Sequence, residues 1–88
     1  MTVDETLEQR AQTYGPFKDN AANAQALKSL MRTMRCWGSL GFDQCEALEM
    51  IASKISRILS GDPDHVDSWR DIEGYARLVR ERLEGKVR

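Results

Sequence analysis

A chain of 88 residues is long enough for one small domain, 1–88, and a domain of that size buries only about 60–65% of its unfolded surface. Two cysteines and one histidine exclude a disulfide scaffold and fall short of the four ligands of a structural zinc, so self-association is the expected source of extra stability. A formal net charge of −1 argues against a partner bound through nucleic-acid phosphates, and no apolar run reaches membrane-spanning length.

In chain order, the acidic opening "MTVDETLEQR" has no apolar core and does not read as a signal peptide. A first helix is predicted over Asp4–Tyr14, with Val3, Leu7, Ala11 and Tyr14 on one side; "YGPF" ends it, because glycine suits a helix end and proline disfavours helix before it. The second helix is predicted over Asp19–Cys36, with a stripe of Ala24, Leu27, Leu30, Met31 and Met34. Asn20 and Asn23 fall on that stripe. Asn20 fits a cap, whereas the Asn23 amide either bonds a neighbouring helix or reaches a ligand.

The break "WGSLGFD" leads to a third helix over Gln44–Ser60, with Asp43 as N-cap, Gly61 as terminator and a stripe of Leu48, Ile51, Ala52, Ile55, Ile58 and Leu59. "GDPDH" follows, and the fourth helix starts between Asp64 and Ser68 and runs to Glu84 on Trp69, Ile72, Ala76, Val79 and Leu83. Nothing alternates at period two. The fold class is therefore all-α, a compact dimeric bundle of one short and three longer helices. Cys36 and Cys45 read as free thiols of a reducing, cytoplasmic compartment.

Asp67, Asp71, Tyr75 and Leu78 share a second face of the fourth helix, beside its main stripe. Asp67 fits a helix cap, while Asp71 lies a turn further in, where no cap is needed. Two carboxylates one turn apart also suit Mg²⁺, which takes one or two carboxylates together with water and phosphate oxygens. Glu46 and Glu49 form a like pair on the third helix, opposite its stripe. Lys54 and Arg57, one turn apart, suit either a solvated face or a cationic phosphate clamp. Trp37 and Trp69 read as core or interface anchors. His65 stands in a loop without a nucleophile beside it. No phosphate loop, dinucleotide fingerprint, zincin motif or paired CxxC occurs.

Three motifs remain: RxxxYGxF at Arg10–Phe17, KxxRI at Lys54–Ile58, and DSWxDIxGY at Asp67–Tyr75. Together they resemble a family of small phage and prophage proteins of uncharacterised function, over nearly the whole chain. More distantly, the chain is similar to the all-α nucleoside triphosphate pyrophosphatases of the MazG-like and dimeric dUTPase group. That resemblance implies a helical homo-oligomer, cytoplasmic in the host if phage-encoded, that acts on a nucleoside triphosphate with Mg²⁺. Glu46 and Glu49 match the group's first acidic pair. Asp67 and Asp71 stand at the second, spaced four apart rather than three. Lys54, Arg57, Asn23 and Tyr75 would then bind phosphate or nucleotide. Three uses stay open: a metal-assisted hydrolase, a nucleotide-binding sponge, and a non-catalytic protein that meets a host or phage partner through a helical face.

Overall fold

The computed structural model describes residues 1–87. Among them are four α-helices, α1 (Val3–Tyr14), α2 (Phe17–Arg32), α3 (Phe42–Ser60) and α4 (Val66–Leu83), a 3₁₀ turn at Trp37–Ser39, and no strand. None of these helices is long and apolar enough to cross a membrane. The expected all-α class is the observed one, and the helices form a compact bundle around α3, which touches α1, α2 and α4.

Local chemistry explains the ends. The Thr2 hydroxyl accepts from the Glu5 N–H (3.1 Å) and caps α1, which opens at Val3, one residue before the expected Asp4. Gly15 closes it at φ 82°, in the left-handed region. Helix α2 stops at Arg32, short of the expected Cys36, where the Thr33 hydroxyl donates to the Leu30 carbonyl (2.7 Å) and competes with the helical ladder. Gly41, not Asp43, precedes α3, and the Gln44 side chain reaches back to its N–H (2.8 Å). His65 precedes α4, and Asp67 makes no cap bond there. An Asx turn shapes the entry instead, with Asp62 Oδ1 accepting from the Asp64 N–H (2.9 Å).

Two glycines set how α1 docks. The backbone of Gly61 lies so close to Thr13 and Tyr14 that a β-carbon would overlap them, and a β-carbon on Gly15 would overlap the Ser60 carbonyl. The Asp62 N–H donates to the Thr13 carbonyl at this crossing (2.6 Å). Between α2 and α3, the fully buried Ser56 hydroxyl donates to the Asn20 carbonyl (2.8 Å) and side-chain oxygen (2.6 Å), so Asn20 ties two helices rather than capping one.

The largest departure from expectation concerns the apolar stripes. Of the expected stripe members only Ala24, Ala52 and Ile58 are buried, joined by Ala47 from the flank of α3. Leu30, Met34, Leu48, Ile55, Leu59 (77% exposed), Trp69 (54%), Ala76 and Leu83 are open to solvent within one chain. The α3–α4 contact uses their flanks instead: Ala47 and Lys54 on one helix, Asp71 and Tyr75 on the other. Trp69 anchors its own loop, its indole N–H donating to the Pro63 carbonyl (2.8 Å).

Candidate functional site

Two ion pairs fix the register of α3 against α4. Arg82 donates twice to Asp43 (2.6 and 2.7 Å), and the Lys54 ammonium meets Asp71 (3.1 Å). Residue 43 therefore stands opposite 82, and 54 opposite 71, so the helices are antiparallel and each step along α3 is a step back along α4. The Arg82 guanidinium holds the Asp43 carboxyl below the usual carboxylate range, and Asp43 raises Arg82 in return.

That register decides what the four carboxylates can do. Glu46 lies level with Val79, with which it lines a groove, whereas Asp67 lies level with Ile58. Twelve residues at 1.5 Å each put about 18 Å along the seam between those levels. Each carboxylate also has its own setting. Glu49 turns toward α2 and pairs with Arg32. Asp67 pairs with Arg70 one turn on (3.1 Å) and has His65 at 3.9 Å. Asp71 holds Lys54. Glu46 is exposed on a groove of about 330 Å³ shared with Asp43, Tyr75, Leu78 and Arg82. Among the described residues, no three His, Cys, Asp or Glu side chains gather as metal ligands. Within one chain the donors do not fit a single Mg²⁺.

The cationic residues part in the same way. Lys54, only 8% exposed, turns to α4. Arg57 turns to α1, its guanidinium 4.7 Å from the centre of the Tyr14 ring. They form no clamp. Of the two roles open to Asn23, the bond to a neighbouring helix is the one present, its amide donating to the Ser60 hydroxyl (3.0 Å). Tyr75, half-buried, lines both the Glu46 groove and a groove of about 430 Å³ along α4 with Asp71, Gly74 and Leu78.

A further cluster lies where Arg57 points. Arg10 also reaches the Tyr14 ring, 5.2 Å from its centre, and His65 meets the ring edge-on at 5.6 Å between centroids. Phe17 and Asn20 complete a pocket of about 290 Å³ with Arg10, Tyr14 and Arg57. Residue-by-residue reading of helix faces misses this pocket. Its signal in the sequence is the pair of motifs RxxxYGxF and KxxRI, which supply four of these five side chains.

A family defined as a domain of unknown function (DUF6378) matches residues 2–83. The chain belongs to that family. No curated protein and no solved structure matches it. The family carries no assigned activity.

Proposed function

We propose that the chain works as a homodimer that handles nucleoside triphosphates in a phage-infected or prophage-bearing host cytoplasm, and that its open apolar face is where two copies meet. The observation that carries dimerisation is an excess of surface. The chain exposes 6548 Å², whereas a compact monomer of 10.0 kDa exposes about 5,200 Å². The excess, about 1,300 Å² per copy, exceeds the roughly 800 Å² per partner of a standard interface. The exposed apolar surface includes a groove of about 300 Å³ lined by Met31, Met34, Trp37, Leu40, Leu48 and Ile55. No charged side chain lines that groove, so nothing in it selects a partner of opposite charge. A second copy offers the same apolar face, as a two-fold interface requires.

Nucleotide handling is supported by the resemblance to the MazG-like group and by the α3–α4 seam, where Lys54, Glu46, Asp71 and Tyr75 supply charge and an aromatic ring beside two grooves. In this reading Glu46 or Asp71 would supply the one or two carboxylates that a Mg²⁺ bound to a triphosphate needs, so the four need not converge. Should hydrolysis follow, the bond broken would be that between the α- and β-phosphates. A second reading, a non-catalytic protein that binds a partner through a helical face, is favoured by the basic partners of Glu49, Asp67 and Asp71, which suit structural ion pairs. Calorimetry with Mg²⁺ and a panel of deoxynucleoside triphosphates separates the two. Binding by the wild type that weakens in Asp71→Asn supports nucleotide handling, and absence of binding across the panel leaves the interaction reading.

A further inference from the structure

We infer that the pocket between α1, α2 and α3 is a metal-independent binding site for a small phosphate monoester carrying a flat group, of about the size of a nucleoside monophosphate. It is separate from the α3–α4 seam and needs neither Mg²⁺ nor the four carboxylates.

The electrostatics come first. Arg10 and Arg57 approach one ring, Tyr14, from two helices, and neither forms an ion pair among the described residues. Of the other described arginines, Arg32, Arg70, Arg77, Arg80 and Arg82 each hold a carboxylate and Arg35 holds none. No acidic side chain lines this pocket. Both arginines line one pocket whose walls supply no negative charge, and the electron-rich face of a tyrosine balances only part of theirs. An anion in that pocket would balance the rest, and guanidinium groups match phosphate oxygens in geometry as well as charge.

The other walls suggest what the phosphate carries. Phe17 stands 84% exposed at the first position of α2, beside the two arginines. A phenyl ring left in water next to paired cations is suited to stack on a planar group. Asn20 adds an amide on the same side, although its side-chain oxygen is already engaged by Ser56, which leaves its N–H₂ as the donor facing a ligand. The volume, about 290 Å³, is close to the lower end for small-ligand sites and too small for a folded partner to enter.

The placement is set by rigid elements. Gly15 and Gly61 let the end of α1 press onto the end of α3, and this crossing brings Tyr14 under Arg57. The motif RxxxYGxF thereby has one spatial meaning: its Arg and its two aromatic residues line a single pocket, and its Gly permits the approach that joins them to the Arg of KxxRI.

The test is calorimetry and ¹⁵N NMR on the full chain in EDTA, with inorganic phosphate, adenosine 5′-monophosphate and adenosine as probes. Adenosine monophosphate is expected to bind more tightly than phosphate and adenosine not at all, with shifts at Arg10, Tyr14, Phe17 and Arg57. Arg10→Gln, at an exposed position that leaves the fold intact, should weaken binding about ten- to hundredfold, the loss of one charge-assisted contact. Arg57→Lys should retain part of the affinity, and Phe17→Ala should reduce the monophosphate to the level of inorganic phosphate. Glu46→Gln, on the seam, should leave binding unchanged. The inference is overturned by no binding in EDTA, by equal binding of adenosine, or by an Arg10→Gln variant that binds like wild type. Because the seam reading requires Mg²⁺ and this one does not, either can fail alone.

Discussion

Leu59→Ser separates a stable monomer from an assembly whose apolar face is covered. In one chain the Leu59 side chain is 77% exposed near the end of α3. Its truncation removes little packing, so the monomer should lose no more than about 0.5 kcal/mol, mostly helix propensity. In a dimer that covers the α3 stripe the same leucine is buried once in each copy. Full burial of a leucine is worth about 1.5–3 kcal/mol, and three-quarters of that, counted twice, gives about 2–4 kcal/mol lost from the dimer alone. At 1.4 kcal/mol per tenfold, the dissociation constant should rise about 30- to 1,000-fold. Sedimentation equilibrium over a concentration series measures this directly, and circular dichroism melts at low concentration report the monomer. A wild type that sediments at 10.0 kDa at every concentration, or a variant that dimerises as well as wild type, would refute the reasoning from surface area.

Gly61→Ala should destabilise by about 2–3 kcal/mol in denaturant melts, since the new methyl meets the Thr13 and Tyr14 backbone and loosens the Asp62–Thr13 bond; Gly38→Ala, with open space around it, should be neutral. Ser56→Ala should cost about 1–2 kcal/mol by thermal melt, leaving the Asn20 acceptors without their buried donor. Asp43 has a folded-state pKa below its unfolded one, chiefly through the Arg82 hydrogen bonds, so its stabilisation is present above the unfolded pKa and is lost as pH falls through the folded one. Melting temperatures of wild type and Asp43→Asn should therefore differ slightly at neutral pH, both side chains being almost half exposed, and converge under strong acid.

The number of helices, their approximate limits and the breaks between them were determined by the sequence alone. Those features are local: Gly15 and Pro16 stop a helix wherever it packs, and a 3.6-residue period in "EALEMIASKISRIL" needs no neighbour to be read. Helix ends were off by a few residues where a side chain settled the matter, as with Thr33 ending α2 or Gln44 reaching back to Gly41.

Which side of each stripe lies inside was decided only by the tertiary structure. Periodicity assigns one apolar direction to a helix and is silent on whether the same chain or another copy covers it. Leu48, Ile55, Leu59 and Trp69 have the pattern of a core yet stand open, while the flank carrying Lys54 packs against α4. Register was equally beyond reach. Glu46 and Glu49 on one helix and Asp67 and Asp71 on the next look like facing pairs, but antiparallel packing with 43 opposite 82 spreads them along the seam. The Arg10–Tyr14–Arg57 cluster is the reverse case, with residues far apart in the chain brought together by two glycines that let backbones touch. A side chain's neighbours across helices depend on crossing point and register, and those are fixed by the sum of all inter-helix contacts rather than by any stretch of sequence.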